Sequence, residues 1–465
     1  MNVTGTSASS RLGDIVGHAN VVGDPTQLAA YAIGGNTPGA AVRPGTAAEV
    51  AEIVKFAAAE KLAIVACGAR TKLGMGFAPS RYDLALDMTR LNRVIAYDPG
   101  DLTLSVEAGV PLRALGQTLA QHRQFLPLAA PFLGQTTIGG LVASGVDSPL
   151  RQFYGTARDF LLGMEFVTGE GVAAKSGGRV VKNVTGYDIH KLMIGALGTL
   201  GVITRVNFKT FPMPIRSRGF VARFATAESA FDMRNRVAQS VLTPLTMEIL
   251  SPGVAELFES EAASHYEPAA MPAGVISRGE WALTTGYAGN GGVLERCGAD
   301  LQRMAEEAGA SGVTVLGDED LRPAFNRKRE FIPIAMAASP AATIVKMSVL
   351  PMRMKDALAR AQRAAESSSL RWAAMARGLG VIYFALLAAE RSEDARARCA
   401  TVANAIHAAC AELGGHSTIP WCPAEWKGAL KIWGLPRADF AEMQKVKRAF
   451  DPHGVLSPGR FVGGI

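Results

Sequence analysis

The residues with the clearest chemical potential in this sequence are glycines, which are concentrated in three segments of its first half. They read CGARTKLGMG (67–76), PFLGQTTIGGLVASG (131–145) and GALGTLG (195–201). A backbone without a side chain can turn with positive φ and bring its N–H groups close to a phosphate. Either of the first two segments alone is more typical of an ordinary turn. Together with the third, they predict two loops that bind one pyrophosphate.

The order of elements around GALGTLG argues against a Rossmann dinucleotide site. There, the glycines lie between a strand and the following helix, with an acidic residue about 20 residues later. Here they follow a predicted helix, DIHKLMIGA (188–196), and precede a predicted strand, VITRVNFKTF (202–211), so NAD is not expected. The sequence also lacks G-x-x-x-x-G-K-[ST], H-E-x-x-H, G-x-S-x-G and paired His/Cys patterns. A P-loop, a zinc site and a serine hydrolase are therefore not indicated.

Further candidate residues are polar or basic and lie in the second half of the chain. His416 lies where a predicted helix gives way to a short strand, so its imidazole either faces a cleft or caps the helix. Arg327, Lys328 and Arg329 form a basic cluster that is more typical of a solvated helix face. Lys346 lies within the apolar segment TIVKMSV. A lysine there is costly unless its charge meets water or an anion.

The spacing of apolar residues predicts a small α+β domain in the first half. Thr46 and Glu49 form a capping box in front of an amphipathic helix over 47–60. A second helix is expected from Pro111, because proline is favoured at the first helical position. Short apolar segments predict strands over 62–66, 83–87 and 103–108.

The second half is predicted to be a separate α+β domain. The stretch FPMP (211–214) interrupts the pattern and glycine becomes rarer after it, so we place a boundary near residue 215. The pattern then predicts an antiparallel sheet covered by helices, and it allows two similar α+β units. The predicted strands span 218–224, 245–250, 281–287, 342–350 and 380–388, and the predicted helices span 227–240, 291–308, 353–367 and 392–413.

The C-terminal segment is predicted to return to the first domain. It reads as a helix that ends at Asp451-Pro452, followed by an extended tail. A chain end of this kind often packs on the first domain. We therefore expect residues 431–465 to contact residues 1–215.

Composition narrows the class of protein. The 465 residues are 48% apolar and 19% charged, which is typical of a folded globular protein with room for two domains. The net charge of +7 comes from basic residues spread along the chain, so nucleic acid is not an expected partner. Five widely spaced cysteines without a CxxC pair indicate neither a disulfide framework nor an iron–sulfur site.

The sequence shows no pattern of export or membrane insertion. Its N-terminus has no basic segment followed by a continuous apolar run, unlike a secretory signal. No stretch of ~18 consecutive apolar residues occurs, unlike a membrane-spanning helix. We therefore predict a cytoplasmic location.

Three stretches resemble a known family. GGRVVKNVTGYDIHKLMIGALGTLGVIT (177–204), TTIGGLVASG (136–145) and VKRAFDPHGVLSPGRF (446–461) are similar to the FAD-binding subunits of bacterial glycolate oxidase. These belong to the vanillyl-alcohol-oxidase, or PCMH-type, superfamily. The resemblance implies a two-part PCMH-type FAD-binding domain over 1–215, an antiparallel-sheet cap domain over 216–430, and a C-terminal helix and tail over 431–465.

The resemblance also implies which residues bind FAD. The first pyrophosphate loop would consist of Gly68, Ala69, Arg70 and Thr71. The second would consist of Pro131, Thr136, Thr137, Gly139, Gly140, Ser144 and Gly145. The flavin and adenine would lie along Gly198, Gly201, Val202 and Ile203, with Lys182 and Tyr187 in the KNVTGYD stretch. Some relatives attach FAD to a histidine of the first loop. This loop has Cys67 and no histidine, so noncovalent FAD is implied, with Cys67 as an alternative attachment point.

With FAD bound, the resemblance implies oxidation of a small 2-hydroxy acid such as glycolate or D-lactate. The reaction needs a hydride acceptor at flavin N5, a base for the hydroxyl proton and a cation for the carboxylate. His416 is the predicted base, and Lys346 and Arg329 are predicted to bind the carboxylate. The H-x-x-G-D-G-N metal motif of sibling dehydrogenases is missing, so no metal is predicted.

A second function of a different class stays open. The chain would then be an FAD-carrying subunit that relays electrons or stabilises a complex whose catalysis lies elsewhere. The missing metal motif favours this alternative, whereas the long second domain favours a complete enzyme. The predicted partners are a second flavoprotein subunit and an iron–sulfur subunit, with membrane contact only through them.

Overall fold

The computed structural model describes residues 6–180, 186–266 and 269–465, whose strands form four β-sheets. The strands are β1 Val21–Val22, β2 Ala40–Val42, β3 Ile64–Cys67, β4 Leu84–Asp87, β5 Val94–Asp98, β6 Thr103–Glu107, β7 Gln124–Phe125, β8 Leu161–Val167, β9 Ala173–Gly177, β10 Val202–Lys209, β11 Phe211–Pro212, β12 Ser217–Phe224, β13 Thr246–Leu250, β14 Trp281–Ala288, β15 Gly312–Leu316, β16 Thr343–Ser348, β17 Arg371–Arg377, β18 Val381–Leu387 and β19 His416–Trp421.

Helices cover these sheets, and none of them in the described part of the chain is long and apolar enough to cross a membrane. The helices are α1 Thr6–Val16, α2 Pro25–Leu28, α3 Ala47–Ala59, α4 Leu112–Ala120, α5 Ile138–Ser144, α6 Arg151–Tyr154, α7 Ala157–Phe160, α8 Ala227–Gln239, α9 Pro252–Phe258, α10 Glu261–Tyr266, α11 Gly291–Glu307, α12 Asp318–Arg329, α13 Phe331–Ala338, α14 Met354–Ser367, α15 Glu393–Glu412 and α16 Phe440–Phe450.

The first sheet has the order β1-β2-β4-β3 and is parallel except for β1. The buried side of α3 packs with its strands in one core. The predicted start of this helix is confirmed, because the Thr46 side chain accepts a hydrogen bond from the Glu49 N–H at 3.1 Å. The Glu49 carboxylate in turn accepts from the N–H of Gly45 at 2.7 Å. These bonds satisfy donors at the helix N-terminus.

The second sheet has the order β5-β6-β10-β8-β9 and is antiparallel throughout. Helices α4 and α5 bury their apolar sides in its core. Pro111 is the N-cap of α4, with φ −67° and ψ 133°, and not its first helical residue as predicted. The ring still suits the position, because an N-cap residue has extended backbone angles.

The helix predicted over 188–196 is wrong. Only Ile189–Leu192 forms a turn of 3-10 helix. The chain then passes Gly195 with φ 77° and Gly198 with φ 72°. These left-handed conformations, which glycine tolerates, end the helical geometry and produce an irregular segment before β10.

The third large sheet contains eight antiparallel strands in the order β15-β12-β14-β13-β17-β18-β16-β19. Its two halves have the same β-α-β-β-α-β sequence of elements, built around α8 and α11 in one half and α14 and α15 in the other. They meet where β13 pairs with β17, with Ile249 opposite Ala376. The repeat that the sequence allowed is therefore present as two units with mirrored strand order.

The predicted antiparallel sheet is confirmed, with its predicted strands observed as β12, β13, β14, β16 and β18. The four predicted helices correspond to α8, α11, α14 and α15, which cover one face of the sheet. The other face packs with α9, α12 and α13 and with Met75 and Leu197 of the first half. Strands β15 and β17 and helices α12 and α13 were not predicted.

The C-terminal tail returns to the first sheet, as predicted. Helix α16 ends at Phe450, and the carboxylate of the next residue, Asp451, accepts hydrogen bonds from the N–H groups of Val455 and Leu456 at 2.9 Å. Leu456 then forms a parallel bridge with Ile64 at the start of β3. Each of the sheets takes its strands from one side of residue 215. The exact domain limits stay a prediction.

Candidate functional site

The glycine-rich segments come together around one cleft, called the first cleft here, with about 730 Å³ of empty space. Arg460 from the C-terminal tail also lines it. Most of the residues expected to bind the cofactor lie on its walls, namely Gly68, Ala69, Arg70, Thr71, Thr137, Gly139, Gly140, Ser144, Gly198, Gly201, Val202 and Ile203.

Gly139 and Gly140 of the second loop lack a side chain to different structural effect. A Cβ added at Gly139 would lie 2.7 Å from the Cβ of Ala108, so this residue allows α5 to approach the end of β6. A Cβ at Gly140 would meet only the Thr137 hydroxyl, at 3.1 Å. Gly140 therefore leaves space open on the wall of the first cleft, where a side chain would occupy ligand volume.

Arg70 turns the first loop with a left-handed backbone conformation, φ 64°, that is uncommon for a residue other than glycine. Its guanidinium donates to the Asp87 carboxylate at 3.2 Å and lies 4.7 Å from the ring centre of Tyr31. These contacts hold the side chain beside the first sheet. They stabilise a backbone conformation that would otherwise be costly.

Two buried cations from the C-terminal part of the chain hold the first loop in place. Arg460 donates to the carbonyls of Leu73 and Met75, both at 2.6 Å, and Lys427 donates to the carbonyl of Gly76 at 2.7 Å. Burial lowers the pKa of Arg460 to about 10 and that of Lys427 to about 8. Sequence reasoning missed both roles, although Arg460 lies in the tail that carried the resemblance.

The remaining cofactor candidates do not line the first cleft. Thr136 accepts a hydrogen bond from the buried ammonium of Lys72 at 2.8 Å and donates to the carbonyl of Pro131 at 3.1 Å. It therefore connects the first glycine-rich segment with the second. Gly145 lines a neighbouring cleft. Tyr187 is 88% exposed. Lys182 lies outside the described residues.

A second cleft of about 600 Å³ adjoins the first, since Ser144 and Leu197 line both. Its opposite wall is the antiparallel sheet, which contributes Lys346, Tyr383 and Thr418. Lys346 pairs with Tyr383 on one side and with Thr418 on the other, so the three side chains share one face of the sheet. Sequence reasoning found only the lysine of this row.

The ammonium group of Lys346 has no direct partner among the described residues of the second cleft. It forms no hydrogen bond or ion pair with any residue that the structure describes. Its charge helps to lower the pKa of Asp147, whose direct partners are Arg377 and Arg151. A half-buried ammonium without a direct partner is well suited to bind an anionic ligand group.

His416 lies at the edge of the same sheet face. It begins β19 and pairs with Ser348, two positions from the pair formed by Thr418 and Lys346. The residue is exposed overall and does not line the second cleft. Partial desolvation of its ring lowers the pKa of His416 below the ordinary 6.5, and the charges of Arg437 and Lys346 lower it further. Its imidazole is therefore neutral near pH 7, as a base must be.

Arg329 is placed away from both clefts. Its guanidinium donates to the carboxylate of Glu330 and to the side chain of Asn326, each at 2.9 Å. Glu330 also accepts from the N–H of Phe132 at 2.7 Å, so this pair joins α12 to the second glycine loop. The prediction of a solvated basic face was wrong, because all three cluster residues are buried. A substrate contact by Arg329 stays untested, and its partners indicate a structural role.

A network of buried charged residues lies next to Tyr383 on the wall of the second cleft. Lys328 lies 2.7 Å from the carboxylate of Glu248, which also lies 3.8 Å from Arg377. Arg377 forms a further ion pair of 3.0 Å with Asp147. Its guanidinium is 5.0 Å from the ring centre of Tyr383. The network connects the sheet to the segment that follows α5.

Known families match both halves of this arrangement. Residues 38–177, which include the first two glycine loops, match the FAD binding domain. Residues 214–418 and 435–461 match the C-terminal domain of FAD linked oxidases. The chain belongs to the FAD-linked oxidase family. It is therefore an oxidoreductase, and its cofactor is FAD.

Several curated relatives of this FAD-linked oxidase align over most of its length. A glycolate oxidase subunit, GlcD, from Bacillus subtilis is 23% identical over 91% of this chain and 88% of its own. A D-2-hydroxyglutarate dehydrogenase from Xanthomonas citri pv. viticola is 26% identical over 91% and 89%. The glycolate oxidase subunit GlcE from Escherichia coli is 34% identical over 42% of this chain and 54% of its own.

Solved structures confirm the expected α+β, PCMH-type fold of this FAD-linked oxidase. A p-cresol methylhydroxylase superimposes with a TM-score of 0.78 and 19% identity, covering 99% of this chain and 97% of its own. An alkyldihydroxyacetonephosphate synthase gives a TM-score of 0.68 and 17% identity, covering 91% and 76%. At these identities the likeness shows the fold alone.

The first cleft fits the FAD that this family binds. The open wall at Gly140 and the backbone of the first loop suit a ligand with a pyrophosphate. Cys67 also lines this cleft, but burial raises the pKa of its thiol strongly, and the thiol rather than the thiolate is present at neutral pH. The environment of Cys67 thus disfavours covalent attachment. Individual contacts with FAD stay predictions.

Proposed function

We propose that this protein oxidises a small 2-hydroxy acid of the glycolate or D-lactate type. The observation that carries the proposal is the unpaired ammonium of Lys346 in a cleft that adjoins the first cleft. A 2-hydroxy acid places a carboxylate beside the carbon that loses hydride. A cation next to the flavin therefore binds and orients such a substrate. The relatives named for glycolate, D-lactate and D-2-hydroxyglutarate support this class of substrate.

Bound FAD supplies the hydride acceptor at N5. The chain must supply the other two functions of the reaction. Lys346 binds the carboxylate, and its neighbour Tyr383 adds a hydroxyl to the same wall of the second cleft. The neutral imidazole of His416 takes the hydroxyl proton as hydride leaves the adjacent carbon, which yields a 2-oxo acid. His416 lies at the cleft edge, so this step requires the substrate hydroxyl to point toward β19.

A second candidate function is an FAD-carrying subunit of a multi-subunit dehydrogenase. It is supported by the 34% identity with GlcE, a subunit of glycolate oxidase, over 42% of this chain. In that role the chain would relay electrons beside a second flavoprotein subunit and an iron–sulfur subunit. Catalysis would then require those partners.

Anaerobic mixing of the flavin-loaded protein with glycolate or D-lactate tests the proposal. We expect the flavin absorbance to bleach with either 2-hydroxy acid but not with acetate or propionate, which lack the hydroxyl. Bleaching only after the partner subunits are added would favour the second candidate function.

A further inference from the structure

A third cleft of about 780 Å³ adjoins the second, since Gly145, Val146 and Lys346 line both. It lies between the segment after α5, helices α6 and α7, and the turn Ile189–Leu192. It shares no described lining residue with the first cleft. The clefts therefore adjoin in series, with the second cleft in the middle.

The charged residues that line the third cleft are mainly cations. Among the described residues, four cations line it, Arg151, Arg158, Lys191 and Lys346, together with one carboxylate, that of Asp147. Arg151 lies 3.2 Å from Asp147, and Lys191 lies 2.6 Å from Asp188 outside the cleft. Arg158, like Lys346, forms no ion pair or hydrogen bond within the described part of the chain. Two cations of this cleft are thus available to a ligand.

Asp147 does not offset this excess of positive charge. Its carboxylate already contacts Arg377 at 3.0 Å and Arg151 at 3.2 Å. Although burial alone would raise the pKa of Asp147, the cations Arg377, Lys346 and Arg151 outweigh it and lower the pKa. Asp147 is therefore a fixed anion with its own partners. An anion that enters the third cleft meets exposed Arg158 and half-buried Lys346, which interact with Asp188 and Asp147 through charge alone and form no direct ion pair with them.

We propose that the third cleft binds a second anionic group of the substrate, so that the preferred substrate is a 2-hydroxy acid with two negative charges, such as a hydroxydicarboxylate. The inference rests on the proposed function, because it extends the same substrate from the second cleft past Lys346. The reacting carbon and its carboxylate occupy the second cleft. The distal anion lies near Arg158, which is a binding and specificity residue with no part in the proton or hydride steps.

Binding of molecules that cannot be oxidised tests the site by itself. Isothermal titration calorimetry of the FAD-loaded protein would compare glutarate with glutaramate, in which an uncharged amide replaces one carboxylate. We expect glutarate to bind roughly 10- to 100-fold more tightly, the range for a charge-assisted hydrogen bond. Equal affinity of the two ligands would overturn the proposal.

Two matched variants distinguish binding of the anion at this site from its nonspecific attraction to a basic protein. Arg158→Gln should remove most of the preference for glutarate. Arg322→Gln, which removes one exposed charge on α12 away from the clefts, should retain it. A preference that is unchanged in Arg158→Gln, or reduced equally in both variants, contradicts the assignment.

Flavin reduction by D-2-hydroxyglutarate and D-2-hydroxyglutaramate distinguishes failure of the inference from failure of the proposed function. If both reduce the flavin at equal half-saturating concentrations, the third cleft has no role and the oxidation stands. If neither reduces it but glutarate binding still depends on Arg158, the anion site stands and the oxidation fails. We expect Arg158→Gln to raise the half-saturating concentration about tenfold for the dianion and to leave it unchanged for the amide.

Discussion

Arg377 on β17 and Asp147 beyond the end of α5 form a buried ion pair, with 3.0 Å between Nη1 and Oδ2. The same guanidinium lies 3.8 Å from Glu248 and 5.0 Å from the ring centre of Tyr383. It therefore connects the segment that follows the second glycine loop with the wall of the second cleft. The pair is one of several contacts that join the glycine loops to the eight-stranded sheet, together with those of Glu330 with Phe132 and of Lys427 with Gly76.

Arg377→Met should destabilise the protein by about 3–5 kcal/mol, because it leaves buried Asp147 without a major partner. Urea unfolding followed by circular dichroism measures the change. Arg371→Met is the matched control, since Arg371 pairs with Glu256 at 2.9 Å with its side chain 71% exposed. The control should change stability by less than about 1 kcal/mol. Equal effects of the two variants would contradict the importance of the buried pair.

Gly140→Val should lose most of the bound FAD, because a side chain there enters the open wall of the first cleft. Flavin absorbance per protein, with far-ultraviolet circular dichroism as a check of folding, measures the effect. Gly116→Val is the control, since its Cβ would meet open space on the exposed side of α4. A soluble Gly140→Val protein with full flavin content would show that this residue does not face the cofactor.

Acid or heat should release the FAD into the supernatant, because the first loop contains no histidine and the Cys67 thiol is held neutral by burial. Cys67→Ala should then retain its flavin and its yellow colour. Flavin that stays with the precipitated wild-type chain, and is lost from the precipitate of the variant, would instead identify Cys67 as the point of attachment.

The sequence predicted elements with a clear apolar pattern better than segments whose burial depends on partners distant in sequence. Helices with clear periodicity, such as α3 and α8, were found because apolar spacing reports which side of an element is buried, and β18 was found as a continuous apolar run. The cluster Arg327–Arg329 was assigned to solvent because a charged run is usually exposed. Its burial depends on Glu248 and Glu330 and on distant carbonyls, and no local pattern shows such partners.

The candidate site shows the same difference between residues with a local pattern and residues positioned by distant contacts. The glycine loops were recognisable because their residue types carry the backbone chemistry. Lys427 and Arg460, which hold the first loop through its carbonyls, lie more than 350 residues away in sequence. Tyr383 was missed because an aromatic residue in an apolar strand has the pattern of an ordinary core residue. Its position beside Lys346 follows only from strand pairing.

His416→Ala should slow flavin reduction by roughly 10²–10⁴-fold, the range for loss of a general base, with little change in substrate binding. Because the pKa of His416 is lowered below 6.5, the wild-type rate should rise with pH below that value and be constant near pH 7. Exposed His453→Ala is the control and should keep the wild-type profile. Stopped-flow absorbance gives both results, and an unchanged pH profile in His416→Ala would exclude it as the base.

The proposed function requires Lys346 to present a substrate carboxylate to the flavin within this one chain. Anaerobic stopped-flow bleaching of wild type and Lys346→Met by glycolate and D-lactate tests it most directly. We predict that wild type bleaches alone and that Lys346→Met needs roughly 10- to 100-fold more substrate, because a lost charge-assisted contact weakens substrate binding by that factor. Wild-type protein that bleaches only when partner subunits are added, or a Lys346→Met variant with unchanged substrate dependence, would contradict this requirement.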